Sequence, residues 1–374
     1  MTMSAMPPPV PAVHVWIVCD VIDVAEAGLY AGLARAGLSL RVYHGPAANP
    51  DRLATLRAAG VPCRVLEVRS RLDLRASAFL RRELDAAPCD VIYAPLNRPL
   101  AAALRAARGR AGLRVIGYRG TIGHVSRFDP ASWITYLHPR LDRIVCVSEA
   151  VRRHLVEDVG IRPERTVRIY KGHDESWYRG RPLRHPLPDA APGELAIGFA
   201  GLIRPVKGVS HLLDAFERLP PGLPARLLLA GDVRDPAVED RLRRLSGSRV
   251  FPLGFRDDAT AVIGRCDVFV MPTVEREGLA RAVLEAMAQG VPCIVSAVGG
   301  LPELVADGET GLVVPPRDPV ALARAMETLL RDAALRRRFG EAGRARMNAM
   351  FDVRQTIDRF RRLFTEAQHG GSRG

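Results

Sequence analysis

The chain has 374 residues, 48% of them hydrophobic and 25% charged, with a formal net charge of +13. That length buries a sizeable core and accommodates two ordinary domains, and no uninterrupted apolar run approaches the roughly 20 residues of a membrane-spanning helix. Six cysteines, at 19, 63, 89, 146, 266 and 293, stand without a CxxC pair, most in or beside strand-like segments where cysteine packs as a small hydrophobe; disulfides and structural zinc are not expected.

From the first residues onward, no basic region precedes an apolar one, and the first apolar run is broken by Asp20 and Asp23, so a cytoplasmic location is expected. Strand and helix patterns then alternate: VHVWIVCD, a helix through AEAGLYAGLARAG, SLRVYHG, a helix over 50–59, PCRVLEV, and an arginine-rich helix over about 71–86. CDVIYAP, a helix to Arg108, LRVIGYRG, RIVCVS, a helix from Glu149, and VRIYKG complete a first βα unit, expected over 12–175. Residues 176–193 are rich in Pro, Gly and Arg and read as a linker. A second unit, 194–352, runs through LAIGFAG, ARLLLAG, SRVFPLG, DVFVMPT, PCIVSAV and TGLVVP with helices between. A last helix, about 353–368, exceeds what such a sheet requires and is expected to pack back on the first unit. The fold class is α/β, with two parallel sheets covered on both faces.

In open parallel sheets, ligands bind outside the carboxyl ends of the strands. In the second half the loops there are AGLIRPVKG, AGDVRD, LGFRDD, PTVEREG and AVGG, each with glycine, charge or both. Arg204 and Lys207 stand at a helix entry, where free N–H groups favour an anion such as a diphosphate; a solvated basic turn has the same signature. Lys171 and Lys207 are the only lysines among 54 basic residues, which marks Lys207 as a place where a compact ammonium is wanted. In EREGLARAVLEAMAQG, Glu277 and Gly278 precede a helix marked by Val283, Leu284, Met287 and Ala288, and Glu285 lies inside it. Glycine there allows close approach to a ligand, and the two carboxylates can accept from sugar and ribose hydroxyls, although glutamates are also ordinary on helices.

These motifs together resemble a retaining glycosyltransferase of family 4, over nearly all of 194–365: GFAGLIRPVKGVSHLLDAF, LLLAGD, FPLGF, CDVFVMPTVEREGLARAVLEAMAQGVPCIVSAVGGLPELVADGETGLVVP and FDVRQTIDRF. The resemblance implies the GT-B architecture, two facing Rossmann-like domains with a deep cleft between them. It implies that Arg204 and Lys207 bind the donor diphosphate, Glu285 the ribose, Glu277 the donor sugar, and that Gly201, Gly254, Phe255, Arg256, Gly278, Leu279 and Ala280 complete the donor site. The family's usual G-F-G core stands here as Gly278, Leu279 and Ala280, a departure that bears on donor contacts. Gly299 and Gly300 match a turn near the donor; Glu303 reads equally as a first-turn helix acid.

The first half is similar more loosely, through GLARAGLSLRVY, CDVIYAP, DRIVCVSEAVRRHL and VRIYKGHDESWY. The Gly-Gly loop after the first strand is replaced by CDVIDVAEAG, and the frequent histidine after the VI strand by Arg119, with His124 five residues on. Arg119 or His124 is expected to take the catalytic role of this domain. His173 and Asp174 match a hinge motif, Lys171 reads as a surface lysine with a phosphate contact left open, and Trp133 and His138 as packing residues that can also line an acceptor cleft.

The resemblance further implies retention of configuration, with no metal and no cofactor beyond the nucleotide-sugar co-substrate. The sequence has no Asp-x-Asp triplet, which speaks against the metal-dependent alternative fold. The expected partners are a nucleotide-sugar donor, a glycan or glycolipid acceptor and an anionic membrane surface, the last from the basic amphipathic helix at 69–84. Bacterial cell-surface polysaccharide or lipopolysaccharide synthesis is the expected setting. A sugar-nucleotide epimerase or glycogen-type synthase stays open on the same fold. A nucleic-acid-binding protein would explain the charge, but aromatics are 6%, no recognition motif appears, and no nucleic acid is expected.

Overall fold

A computed structural model describes residues 13–245 and 249–366. The expectations that touch residues 1–12 and the end of the last helix at 367–368 lie outside the described residues. Strands β1 (His14–Val18), β2 (Ser39–His44), β3 (Cys63–Val65), β4 (Val91–Ala94), β5 (Arg114–Arg119), β6 (Arg143–Cys146) and β7 (Thr166–Arg168) form one sheet, ordered β3-β2-β1-β4-β5-β6-β7. A second sheet contains β8 (Leu195–Ala200), β9 (Ala225–Ala230), β10 (Val250–Gly254), β11 (Val268–Met271), β12 (Cys293–Ser296) and β13 (Gly311–Val314), ordered β10-β9-β8-β11-β12-β13.

Every pairing is parallel. Parallel strands need crossovers, and the helices that make them cover both faces, so the strands are short and apolar throughout rather than alternating. Strand β9 shows this: all of ARLLLA is buried. In each sheet the strand order reverses once, between β1 and β4 and between β8 and β11. Loops diverge at such a reversal and leave a crevice at the carboxyl edge. The chain thus has the GT-B architecture of two Rossmann-like halves.

Two apolar layers cover the first sheet, one around Leu80, Leu100 and Leu104, the other around Ile17, Leu33 and Leu56. The helix Val353–Thr365 joins the second layer through Phe360, Leu363 and Phe364, and Tyr93 meets the Phe360 ring edge-on at 5.3 Å. The chain therefore crosses between halves twice, and the crossings lie side by side: His173 N donates to Phe351 O (2.7 Å), and Val353 N to His173 O (3.0 Å). A Cβ on Gly172 would overlap Thr356 and the backbone at 352–353, so glycine is required for that contact.

The short helix Pro130–Trp133 has no counterpart in the sequence reading, since four residues are too few for a helical period, whereas Leu301–Leu304 puts Glu303 in a first turn as expected. The arginine-rich helix spans Leu74–Ala86 and is capped by Asp73. Its Leu80 and Leu84 are buried against the first sheet, and Phe79 meets Tyr43 edge-on at 6.0 Å. The face carrying Leu80 and Leu84 is therefore core and not free surface, whereas Leu74 in the first turn is exposed.

Phe364 is fully buried between the last helix and a sheet it does not belong to. Phe364→Ala is expected to cost about 3–5 kcal/mol, read as a lower urea midpoint for the first half. An unchanged midpoint would mean that the helix is a passive appendage.

Candidate active site

A cleft of about 660 Å³ opens between the carboxyl edges of the two sheets. The second half contributes Gly201, Lys207, Glu277 and Glu285 to its wall, and the first half Asp23, Gly120, Lys171 and His173. Eight residues expected at the donor, Gly201, Lys207, Phe255, Arg256, Glu277, Leu279, Ala280 and Glu285, thus share one cavity.

Glu277 sits in the loop between β11 and the helix Arg281–Ala288. Its Oε2 accepts from Lys207 Nζ at 2.6 Å and from Thr273 Oγ1 at 3.1 Å. The residue before it, Arg276, is left-handed (φ 61°), a conformation that costs energy for a side-chain-bearing residue and turns the loop sharply. Gly278 is buried where a Cβ would overlap the carbonyl oxygen of Gly120 in the first half, and Gly299 and Gly300 pack as closely on the carbonyls of Glu277 and Gly278. Glycine at 278 is what lets the two halves meet beside Glu277.

Glu285 is buried, with Oε2 accepting from Thr260 Oγ1 (2.9 Å) and Oε1 facing Arg281 Nε (2.9 Å). Burial pushes its carboxyl above the ordinary glutamate range, while Arg281 and Thr260 pull the other way. Each oxygen has one partner, and a carboxylate can accept more.

The helices that end at this cavity differ in how their N-termini are closed. Most helices of the chain carry a side-chain cap, such as Asp73, Asp235, Asp318 and Asp332. The helices Val209–Glu217 and Arg281–Ala288 begin at Gly208 and Ala280 without one, which leaves first-turn N–H groups without a side-chain acceptor; Ala280 and Arg281 line the cleft, and so does Lys207, directly before Gly208. On the opposite wall, the helix Val24–Arg35 is sealed by a capping box of Asp23 and Glu26. Lys171 Nζ completes that seal, 2.5 Å from Asp23 and 3.3 Å from Glu26. Lys171 is a cleft residue and not the surface lysine its sequence context suggests. Burial disfavours its ammonium, but the two carboxylates more than offset this and raise its pKa.

Several expected residues stand elsewhere. Arg119 is buried: its guanidinium holds the carbonyls of Thr121 (2.9 Å) and Gly123 and lies 5.2 Å from the centre of the Tyr136 ring. It shapes the loop after β5 and does not line the cleft. His124 is exposed, left-handed (φ 56°), and 3.2 Å from Arg276 Nη1 across the two halves. Neither lines the cleft in this structure: loop carbonyls hold Arg119, and His124 meets Arg276 outside the cavity wall. Arg204 is exposed on the rim, outside the cavity wall, and its side chain makes no bond to a described residue. Gly254 (φ 63°) and Gly278 act through backbone shape and are not lining residues. Arg256 lines the cavity but spends its guanidinium on Asp258 (2.6 Å) and the carbonyl of His185 (2.7 Å), pinning the linker. Phe255 stands exposed beside it.

In the cleft wall, His173 is buried and hydrogen-bonded to the Tyr178 hydroxyl; burial and Lys171 push its pKa down to about 3, so it is neutral. Trp133 and His138 are outside the cavity wall. The sequence reading left Glu303 without a role, and the structure gives it one. Its oxygens accept from Glu149 N and Ala150 N, both at 2.9 Å, and from the Tyr170 hydroxyl at 2.9 Å. A carboxylate of the second half thereby closes a helix of the first. Among the described residues no group of three His, Cys, Asp or Glu could hold a metal ion, and no helix is long and apolar enough to cross a membrane.

Residues 27–177 match the family model described as Glycosyltransferase Family 4, and residues 194–332 the one described as Glycosyl transferases group 1. N-acetyl-alpha-D-glucosaminyl L-malate synthase of Bacillus anthracis is 29% identical over 181 residues, 46% of this chain and 45% of that protein. Alpha-maltose-1-phosphate synthase of Mycobacterium tuberculosis is 33% identical over 245 residues, 59% of this chain and 63% of that one. The matched region thus spans less than two thirds of either relative. In fold, the chain is similar to Anabaena HepE, solved in complex with UDP, with a TM-score of 0.75 at 20% identity, covering 95% of this chain and all of that one.

Glu285 brings one source of pH dependence to the site. Its raised pKa means that the native state binds this proton more tightly than the unfolded chain, so its contribution to stability is present at acid pH and lost as pH rises through the folded value. Glu285→Gln, neutral throughout, should therefore melt at or above the parent at neutral pH, with the gap narrowing as pH falls toward the ordinary glutamate value of 4.5. Calorimetric melts across that range check it; a lower melting point with a pH-independent gap would contradict the burial argument.

Proposed function

We propose that this chain, both halves of which belong to glycosyltransferase families, moves a sugar from a nucleotide-sugar donor to a glycan or glycolipid acceptor with retention of configuration. Synthesis of bacterial cell-surface polysaccharide or lipopolysaccharide is the setting we assign to it. One observation carries the donor half of this reading: the uncapped helix N-terminus at Ala280 shares a cleft with the Lys207–Glu277 ion pair, and a second uncapped helix starts directly after Lys207. A diphosphate brings the anion that those N–H groups and Lys207 lack, and it needs no metal to be held.

In this reading the uridine or other base lies toward Phe255, and the ribose hydroxyls donate to the free acceptor positions of Glu285. The diphosphate spans the entries at Gly208 and Ala280, with Arg204 swinging in from the rim. Glu277 then accepts from hydroxyls of the donor sugar while Lys207 turns its charge to the phosphate. In the reaction the bond between the anomeric carbon and the diphosphate oxygen breaks, and a bond from the acceptor oxygen to that carbon forms on the same face. Charge grows on the leaving oxygen as the sugar becomes oxocarbenium-like, and preorganised positive potential at that oxygen is the largest contribution such a site makes. The acceptor hydroxyl's proton passes to the departing diphosphate. The capped first-half helix offers no competing anion site, which leaves that wall for the acceptor.

UDP-glucose is the first donor to try, since a structural neighbour was solved with it. Two variants separate the roles. Glu285→Gln should weaken nucleoside diphosphate binding by about 1.5–3 kcal/mol, the worth of charge-assisted hydrogen bonds. Glu277→Gln should depress turnover more than that binding, because it touches the group being transferred. Titration calorimetry of UDP beside turnover of UDP-glucose reads both; if each variant binds and turns over like the parent, the donor-site reading fails.

A further inference from the structure

The donor reading leaves the side chains of the opposite wall unused: Asp23, Tyr118, Val147, Lys171 and His173. Two of them are polar and only partly spent. Asp23 Oδ1 accepts from Glu26 N (2.9 Å) and Oδ2 from Lys171 Nζ (2.5 Å), one partner for each oxygen where a carboxylate oxygen can accept about two. Tyr118 is partly buried, and its hydroxyl bonds to no described residue. Enclosed tyrosine hydroxyls usually find a partner, as Tyr136 does nearby on Asn97 Oδ1 (2.9 Å) and the Tyr118 carbonyl (2.8 Å). Gly120, also in the wall, keeps the Tyr118 ring edge clear, since a Cβ there would lie 3.1 Å from Cε1.

The charge of this wall is set against an anion. Burial works against the Asp23 carboxylate, but Lys171 and the Glu26 N–H outweigh it and hold its pKa below the ordinary value. Burial, together with the charges of Glu26 and Asp23, pushes the Tyr118 hydroxyl well above the ordinary tyrosine range, so it stays a neutral donor. His173 is neutral, as described above. Lys171, the one cation that this wall contributes among the described residues, faces two carboxylates. Across the cleft, the cation that acts on Asp23 is Arg281, which is itself paired with Glu285.

We propose that Asp23 and Tyr118 read the acceptor, taking a sugar ring that offers hydroxyl or amino groups to this wall and turning away one that carries a carboxylate or phosphate there. The word acceptor rests on the transferase reading above; the polarity of the wall does not. Spare lone pairs on Asp23 accept from such groups, and Tyr118 donates to a ring or hydroxyl oxygen. An anionic substituent at the same place meets Asp23 in a partly enclosed site, where like charges discriminate by about tenfold or more. A diphosphate on the opposite wall repels the same anion from the other side. Specificity then comes from repulsion of the wrong sugar as much as from attraction to the right one. Capping alone does not call for this charge, because asparagine or serine closes a helix about as well. The chain instead spends one of its two lysines on it.

The probes are methyl α-glucoside, methyl α-glucosaminide and methyl α-glucuronide, which differ by an amino group or a carboxylate. Saturation-transfer NMR on the full chain, with and without UDP, ranks their affinities. The neutral and amino sugars should bind about tenfold or more tightly than the glucuronide. Asp23→Asn keeps the cap and should shrink that gap to about threefold or less. Tyr118→Phe should weaken the neutral sugar by about three- to tenfold with its melting temperature held, because the lost hydroxyl has no partner in the fold. Equal binding of glucoside and glucuronide by the parent overturns the proposal, as does binding of none of the three. So does a gap that survives Asp23→Asn, or parent-like sugar binding by Tyr118→Phe. UDP that fails to bind while the sugar gap stands sinks only the donor reading, and UDP binding without the gap sinks only this one.

Discussion

An α-helix leaves its first backbone N–H groups without partners, and where a chain closes or leaves open those ends decides what its loops can bind. Here the carboxyl edges of two parallel sheets bring several helix N-termini to one cleft. On one wall the capping box of Asp23 and Glu26, locked by Lys171, closes the helix with the protein's own carboxylates. On the other, Gly208 and Ala280 offer nothing. The cleft is electrostatically lopsided as a result, with an anion wanted on the second half only.

The glycines beside Glu277 serve the same asymmetry. Gly278 lets the loop touch Gly120 of the first half, and Gly299 and Gly300 back it from the other side, so the carboxylate is held by backbone contact on both flanks. Lys207 and Thr273 fix its orientation. Packed backbone holds a functional group more rigidly than long side chains, which retain rotamer freedom. Glu303 adds the second tie between halves, and the paired crossings at His173 and Val353 the third. The halves thus meet at several specific polar points around the cavity, with Leu279 packed on the first-half core beside them.

Both lysines line the cleft, each in an ion pair with glutamate. In a chain that otherwise uses arginine, a compact ammonium fits between crowded carboxylates where a planar guanidinium would not. That signal was legible in the composition for Lys207 and equally available for Lys171, whose partners could have been suspected from the Asp-x-x-Glu spacing at 23–26.

The sequence by itself determined the alternation of short apolar strands and helices, the break at 176–193, and the loops that carry Lys207, Glu277 and Glu285. These are local: period, turn residues and charge within a dozen positions fix them. Only the tertiary structure decided that Glu303 reaches a helix more than 150 residues away, that Arg119 turns under its own loop, and that the amphipathic helix at 74–86 hides Leu80 and Leu84 while Leu72 and Leu74 stay exposed. Each depends on which loops the sheet order brings side by side. A pattern of residues states what a segment can bury or bind, whereas the neighbours that satisfy it are chosen by topology.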